Sequence, residues 1–568
     1  ELPYLLTLAA YGFRWFELLD RAHAPDWHQD HPEPMPGFLT LVLRKSLEEI
    51  TAGQNRKMLE TEILPDYLPK HRWFAGKDQG VDEIGLDRAV VLPGEAPDPW
   101  LLLVLDVRQG KATTRYQLPV SVDWNEGALR PGSARLAWTL AKTRRFRHVG
   151  ALQDATMDDN FARSVLAAMQ HGDGGDFRAQ AWEPLAELPL DDTTEVRRFG
   201  VEQSNTSMIV GDRVALKIFR KLAAGTHPEL EMARYLTHEA GFANTPALLG
   251  SLELQEASGE PTLMAIAQAY LFNQGDGWRV MTDYLDRELD RRALARDSEP
   301  DEHSGEFDHE QNLALVERLG QRTAEMHRAL ARPTEISAFA PESVSEADLA
   351  QWAERAARQA REGFASLRRV RDGLEGATAE RADEVLARED EVLTRIEAVA
   401  GVKPGILKTR LHGDLHLGQV LVVERDFHII DFEGEPARSL AERREKSSAL
   451  RDVAGMARSF DYAAYAAAYK SIGRQPAADD AVLEDALAWR DAALERFFSA
   501  YREHLGDCRI WPEREADARC LLDAFLLEKA CYELAYEAAN RPHWLDIPLA
   551  GIRALIARKP ASGGASRS

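Results

Sequence analysis

Residues 410–421 read Arg-Leu-His-Gly-Asp-Leu-His-Leu-Gly-Gln-Val-Leu and are followed by Ile429-Ile430-Asp431-Phe432-Glu433-Gly434. A polar, glycine-interrupted loop lies between two short apolar β-type runs, and a second carboxylate ends the next run. Phosphoryl-transfer sites are commonly built this way: one Asp meets the attacking hydroxyl, while an amide side chain and another Asp hold the Mg²⁺ on ATP. On this reading Asp414 accepts or orients the acceptor's proton. Gln419 returns its amide oxygen to the metal, and Asp431 is the stronger ligand because Mg²⁺ prefers hard oxygen donors. His412 orients the loop backbone. His416 lines the acceptor side or simply packs, and Glu433 reaches metal or sugar but ranks below Asp431. A buried hairpin with polar loop residues is the competing reading, and a His-Gly-Asp triplet alone would not exclude it.

At 568 residues the chain exceeds one core, and a prior of about 150 residues per domain gives roughly three or four units. Seventy basic against 93 acidic residues leave a net charge of −23, spread along the chain. Such a surface repels phosphate backbones, so no nucleic-acid partner is expected. ATP is also an anion, so its cleft needs local cations. No apolar run approaches the ~20 residues that span a bilayer. The N-terminus has no basic stretch leading into an apolar one, and no membrane partner is expected. Cys508, Cys520 and Cys531 are odd in number and lack C-x-x-C spacing. Reduced thiols in a cytoplasmic protein are expected.

In chain order, Tyr4–Leu8 and Gly12–Leu18 are β-rich runs, and Pro25, Pro32, Pro34 and Pro36 mark a linker. Residues 37–195 read as an α+β unit without a catalytic constellation. Leu39–Glu62 has helix-like apolar spacing, with room for an initial strand. Trp100–Val107 and Thr113–Val120 read as strands joined by the turn at 108–111. The stretch Leu64–Lys77 reads as a solvated basic turn anchored by buried aromatics, with anion binding by its Arg and Lys as the alternative.

Residues 196–275 begin with Val196–Val201 and the loop Glu202-Gln203-Ser204-Asn205-Thr206-Ser207. Met208–Val210 then turns at Gly211-Asp212 into Val214–Phe219. A helix over His227–Ala240 follows, with Pro228 in its first turn. Small, hydroxyl-bearing loop residues let backbone N–H groups approach phosphates, and Lys217 supplies a point charge. An ordinary edge lysine with its ammonium in water is the alternative. A helix Glu would hold Lys217, and spacing alone selects Glu231 over Glu229. Gln268-Ala269-Tyr270-Leu271 is the expected hinge, where backbone groups read adenine.

From 276 to 558 the pattern is helical. Leu313, Val316, Leu319, Thr323 and Met326 share a face with His327, a structural histidine. Residues 345–400 read as two charged helices in an antiparallel pair turning at Gly373 and Gly376. Residues 290–309 read as a mobile insertion and 559–568 as a disordered tail. Tyr532 and Tyr536, and likewise Glu533 and Glu537, share helix faces. They suit the flat faces and hydroxyls of a sugar, or equally a core. Arg438, Arg451 and Asp452 are candidates near the cleft, though an Arg451–Asp452 ion pair explains the last two as well.

The loop and the later Ile430-Asp431-Phe432 resemble the aminoglycoside-phosphotransferase branch of the kinase-like superfamily, whose members carry H-G-D-x-x-x-x-N and I-D-[FW]. Gln419 stands where Asn is usual. The strand–turn–strand with Lys217 and its acid-bearing helix resembles the nucleotide-binding lobe of protein-kinase-like folds. A narrower resemblance accounts for Gln419. Pro69–Lys77, Glu202–Ser207, His412–Gln419, Ile430–Arg438, Leu450–Tyr462 and Glu528–Glu537, ending at Asn540-Arg541-Pro542, together resemble the bacterial maltokinase family over about residues 38–557. Pro3–Leu8 with Tyr11–Phe16 resembles the closing strands of the β-domain in α-amylase-type enzymes, trehalose synthase among them.

The resemblance implies an α+β, bilobal protein-kinase-like fold with an N-terminal α+β cap unit and a mostly helical C-terminal lobe. It implies phosphorylation of maltose at its anomeric hydroxyl, with ATP and Mg²⁺, for α-glucan synthesis, and a fused or associated trehalose synthase. The expected divisions are the end of an upstream β-domain with linker (1–36), cap (37–195), nucleotide-binding lobe and hinge (196–275), helical lobe (276–558) and tail (559–568). Expected nucleotide contacts are Ser204, Asn205, Thr206, Ser207, Lys217, Glu231, Gln268 and Tyr270. Asp414 is the expected catalytic residue, and Gln419 and Asp431 the metal ligands. Acceptor contacts fall to His416, Glu433, Tyr532, Tyr536 and Glu537. A related kinase for another sugar or an amino alcohol, and a catalytically silent kinase-like regulator, are the alternatives. Lys217, Asp414 and Asp431 together argue against the silent one.

Overall fold

The strands between Thr40 and Ala269 pair into two sheets. The computed structural model describes residues 37–76, 80–92, 98–130, 133–191, 193–198, 204–296, 309–473 and 480–558. The expected upstream β-domain end and linker, Glu202, Gln203, most of the 290–309 insertion and the 559–568 tail lie outside the described residues. Contacts divide the chain into two units, one running to Ala224 and including Leu249–Gln268, the other holding Gly225–Leu248 and everything from Ala269.

In the first unit, β1 (Thr40–Leu43), β2 (Glu83–Leu92), β3 (Trp100–Gln109), β4 (Ala112–Asp123), β5 (Thr139–Arg145) and β6 (His148–Asp154) form a sheet in the order β1-β5-β6-β4-β3-β2. The expected hairpin is β3–β4, turning at Gly110, whose φ is +59°. Such a φ suits glycine, which has no Cβ to clash. The helical spacing of residues 39–62 yields β1 and then a broken spiral. That spiral contains α1 (Gly53–Met58), a π-turn over Leu59–Ile63, and α2 (Leu64–Tyr67). Ile50, Leu59, Ile63, Trp73 and Phe74 pack with Leu101, Leu103 and Leu105 of β3 in one core. α3 (Asp159–His171) is started by the Asp158 carboxylate, which accepts from the N–H of Asn160.

The second sheet takes β7 (Phe177–Ala181), β8 (Val196–Arg198), β9 (Thr206–Val210) and β10 (Val214–Ile218). After β10, the short β11 (Lys221–Leu222) leaves this sheet and pairs with β4 of the first. β12 (Leu248–Gln255) and β13 (Pro261–Ala269) complete the order β7-β12-β13-β10-β9-β8. β7 comes from the expected cap segment, and β11 from the expected nucleotide lobe. Each crosses into the other's sheet, so packing shows no division at 195/196 as the sequence divisions had it.

The second unit is helical. α4 (Pro228–Arg234) runs into a π-turn ending at Glu239. α5 (Gly277–Arg296), α6 (Glu310–Leu330) and the two-residue β14 (Glu342–Ser343) follow. Then come α7 (Glu346–Val370), α8 (Gly376–Leu386), α9 (Glu389–Glu397) and β15 (Leu407–Lys408), which pairs with β14. The expected two-helix pair of 345–400 is thus three helices. Ser345 and Asp348 cap α7 reciprocally, and the second expected helix is broken after Leu386. β16 (Val420–Val423) and β17 (Asp426–Ile429) form a hairpin. α10 (Leu440–Arg443), α11 (Leu450–Ile472), α12 (Ala481–Leu505), α13 (Glu515–Asn540) and α14 (Asp546–Ala557) close the unit. One core joins α5, α6, α11 and α12 to the hairpin, and another joins α7, α9, α13 and α14. Among the described residues no helix is long and apolar enough to cross a membrane.

α7 and α13 approach closely at Gly363, where an added Cβ would lie 2.3 Å from the carbonyl oxygen of Cys531. Backbone cannot yield there as a flexible side chain would. Gly363→Ala is expected to destabilise the helical unit by about 1–3 kcal/mol, read as a lower midpoint in thermal unfolding. An unchanged midpoint would mean the two helices separate freely.

Candidate active site

The hairpin fixes the site from below. Val420, Val422, Phe427 and Ile429 are buried, and their pairing register places Val420 opposite Ile429. Gly277 starts α5 against this hairpin; a Cβ there would lie 2.7 Å from Val420 Cγ2 and 2.9 Å from the Leu417 carbonyl. The loop 412–419 enters the hairpin and Asp431 leaves it, so both chemical segments rest on one apolar support.

Local hydrogen bonds set the loop's shape. His412 Nε2 donates to the Ile430 carbonyl (2.8 Å), and its Nδ1 accepts from the N–H of Asp414 (3.3 Å). A carbonyl partner needs a donor and an N–H partner an acceptor, which fixes the tautomer. Gln419 Nε2 donates to Asp431 Oδ2 (2.9 Å), leaving its amide oxygen available. Asp431 itself sits at φ +66°, a conformation few non-glycine residues adopt. Beneath the loop, Asp452 of α11 accepts from the N–H groups of His412 (2.8 Å) and Gly413 (2.9 Å) and from His327 Nε2 (3.1 Å). His327 is fully buried, and its Nδ1 accepts from the Tyr501 hydroxyl (2.9 Å). Burial alone would raise the Asp452 pKa. The His327 hydrogen bond, the nearby imidazoles and the Gly413 N–H outweigh that and hold it below the ordinary value.

Asp414 opens onto a cavity of about 40 Å³, lined by Glu435, Arg438, Arg451, Glu528, Lys529 and Tyr532 among others. That is room for about three waters. Lys529 Nζ of α13 lies 3.2 Å from Asp414 Oδ1 and 3.6 Å from Glu435 Oε1. Burial would lower the Lys529 pKa, but Asp414 and Glu435 reverse the shift and keep the ammonium charged. Its Nζ also lies 5.1 Å from the centre of the Tyr532 ring. Arg451 pairs with Glu528 (2.8 Å), so the expected Arg451–Asp452 pair does not form.

Glu229, Asp431 and Glu433 bring ligand oxygens within 4.8 Å of one another. Three carboxylates with the Gln419 amide oxygen are a donor set that fits Mg²⁺. Glu433 therefore sits with the metal-type carboxylates and not on the acceptor cavity. Glu229, 2% exposed, joins them from α4. Glu231 of α4 has other partners than the expected lysine. Arg410 (2.6 Å) and Arg444 (2.8 and 2.7 Å) take its two oxygens, and they outweigh burial to depress its pKa.

Several expected acceptor contacts have other tasks. His416 Nδ1 accepts from the N–H of Gly418 (3.0 Å), capping the turn at 417–419, while its Nε2 lies 4.0 Å from Asp414 Oδ2 and the residue is outside the cavity lining. Glu537, 1% exposed, accepts from the Tyr462 hydroxyl (3.1 Å) and from Arg541 (2.9 and 2.7 Å). It secures the end of α13. Tyr536 is 45% exposed and outside the cavity lining, with the Arg541 guanidinium 5.4 Å from its ring centre. Tyr532 lines the cavity. Lys529, Glu435 and Glu528 are the residues sequence reasoning missed. A lysine within the apolar run of α13, three before Tyr532, was the available signal.

In the first unit, Lys217 lies on β10 opposite Ser207 of β9, with Nζ 5.2 Å from the Phe219 ring centre. Ser204 is exposed, and Asn205 and Thr206 accept hydrogen bonds from Arg220. Gln268 lies near the end of β13. Tyr270, the second expected hinge residue, follows that strand in the other unit.

A base-type Asp on a loop tied to a carboxylate cluster marks a phosphotransferase of the kinase-like class. A family model described as "Phosphotransferase enzyme family" matches residues 195–434, and one described as "Maltokinase N-terminal cap domain" matches residues 67–158. A glucosamine kinase of Streptacidiphilus jiangxiensis is 30% identical over 480 residues, covering 81% of this chain and 94% of the relative. One from Mycolicibacterium smegmatis is 28% identical over 410 residues, covering 70% and 88%. A solved glucosamine kinase in complex with glucosamine, ADP and inorganic phosphate aligns with a TM-score of 0.57 at 25% identity, covering 83% of this chain and 93% of that one. The chain belongs to the phosphotransferase enzyme family, within the group that carries the maltokinase-type N-terminal cap.

Asp452→Asn is expected to lower kcat by about 10–100-fold, because an amide cannot serve three donors and presents its own N–H groups to the loop. The folded Asp452 pKa is depressed, so its stabilisation is complete above the unfolded value of about 3.9. It is lost as pH falls through the lower folded value. Acid unfolding of the variant should therefore lose part of that slope, and an unchanged kcat would separate Asp452 from the loop's geometry.

Proposed function

We propose that this chain transfers the γ-phosphoryl group of ATP to the anomeric hydroxyl of maltose, giving maltose 1-phosphate and ADP. The observation that carries the transfer is Asp414 facing a polar, partly open cavity beside Lys529. The acceptor oxygen forms the new bond to phosphorus, the bond to the ADP oxygen breaks, and the acceptor's proton passes to Asp414. Lys529 orients the Asp414 carboxylate. Asp431, Gln419, Glu433 and Glu229 would hold Mg²⁺, which neutralises phosphate charge when bound. Ser204, Asn205, Thr206, Ser207 and Lys217 are read as facing the phosphates, and Gln268 and Tyr270 the adenine.

Support for maltose comes from the motif resemblance and the cap match at 67–158. Tyr532, whose ring lines the cavity, offers a flat face to a sugar ring. The reading includes a fused or associated trehalose synthase as the maltose source, resting on residues 3–16, and a cytoplasmic setting where ATP is supplied. Glucosamine is the second reading. The relatives' names favour it, as do the Glu435 and Glu528 carboxylates in the cavity, which suit an ammonium group.

ATP turnover compared on maltose, glucose, glucosamine, trehalose and an aminoglycoside should give the highest kcat/KM with maltose, and phosphorus NMR should report an anomeric phosphate. Faster turnover of glucosamine would replace maltose, and no sugar turnover at all would sink the kinase reading. Asp414→Asn should lower kcat by about 10²–10⁴-fold with ADP binding retained.

A further inference from the structure

We propose that Arg220 is a positioning residue through which the cap sheet holds the nucleotide loop in its working shape. The proposal rests on reading Ser204–Ser207 as the phosphate-facing loop. Arg220 follows β10 three residues after Lys217, at the point where the chain leaves the second sheet for the first. Its side chain is fully buried. Nη2 donates to Asp154 Oδ2 (2.7 Å) and to Thr156 Oγ1 (3.0 Å), and both acceptors lie in the cap segment. Nε donates to Thr206 Oγ1 (2.8 Å), and the backbone N–H donates to Asn205 Oδ1 (3.3 Å).

The guanidinium is itself held by the cap. It lies 4.8 Å from the Trp73 ring centre, and the Arg220 carbonyl accepts from the N–H of Gln117 on β4 (2.7 Å). Asp154 is fixed in turn by the N–H (3.0 Å) and hydroxyl (2.6 Å) of Thr156. A planar fork with fixed donor angles transmits orientation as well as attraction. Two consecutive loop side chains, Asn205 and Thr206, thus take their placement from a residue anchored in the cap. With these side chains occupied, the loop's backbone N–H groups are what it offers to phosphate. A function for the cap follows, namely to preset the loop before nucleotide arrives, so that binding is not spent on ordering it.

Direct titration of ADP with Mg²⁺ tests this on the full chain. Thr156→Val removes one acceptor of the fork but keeps the Arg220–Asp154 pair, so it leaves the core charge compensated. It should raise the ADP dissociation constant and the KM for ATP about tenfold, with the sugar KM unchanged, and Thr156→Ser should restore both. Asp154→Asn should act in the same direction if it folds; Thr156→Val decides if it does not. A lower melting temperature with unchanged ADP affinity would make Arg220 a structural pin only and overturn the proposal. Lys217→Ala separates the two claims. If it weakens ADP binding while Thr156→Val does not, the positioning role alone fails; if neither does, the nucleotide reading fails and takes the proposal with it.

Discussion

The active loop depends on an almost fully buried carboxylate. Asp452 is buried inside the helical unit, where an unpaired charge would be prohibitive. It persists because three donors converge on it, and two of them are the backbone N–H groups of His412 and Gly413. Those groups immediately precede Asp414. The third donor, His327, is oriented by Tyr501, so α6, α11 and α12 all contribute to one hydrogen-bonded chain. Folding of this core and placement of Asp414 are therefore one event. The loop does not need to be ordered by substrate, which removes one cost of reaching the reactive geometry.

The cavity beside Asp414 answers a problem posed by the chain's own charge. A protein with a net charge of −23 must gather cations wherever it handles phosphate. Lys529, Arg438 and Arg451 do this around Asp414, and each is matched by Glu435 or Glu528. The carboxylates hold the cations in place, and Lys529 lies 3.2 Å from Asp414. Charge pairs this dense are costly to bury. Their place around a cavity, where hydroxyl groups can share the remaining hydrogen-bonding capacity, makes more sense than a purely structural role.

Sequence revealed the parts of this machine that are local. That Asp414, Gln419 and Asp431 meet at one hairpin was legible because a loop between two apolar runs and a carboxylate after the second is a contiguous pattern. The strands β3, β4, β9 and β10 were legible from their apolar runs and turns. What escaped was set by distance along the chain. The tie from Lys529 to Asp414 spans 115 residues, and no periodicity announces it. The exchange of β7 and β11 between sheets is likewise invisible to a reading that expects neighbours in sequence to share a sheet. Glu537 and Tyr536 illustrate the converse error. Their spacing placed them correctly on α13, but spacing does not say which turn of a helix faces the cavity.

The same limit explains the exchange of roles on α4. Glu229 and Glu231 are two residues apart, which on a helix turns them about 200° from each other. They cannot serve the same neighbour. One side of the helix brings Glu229 to Asp431 and Glu433, and the other brings Glu231 to Arg410 and Arg444. Arg410 lies just before His412 in the chain. Glu231 thus secures the strand leading into the catalytic loop, while Glu229 belongs to the carboxylate cluster at its exit. A single short helix braces both ends of the segment that carries the chemistry. Only the helix's rotation about its own axis, fixed by packing and not by the positions of its acids in sequence, assigns the two tasks.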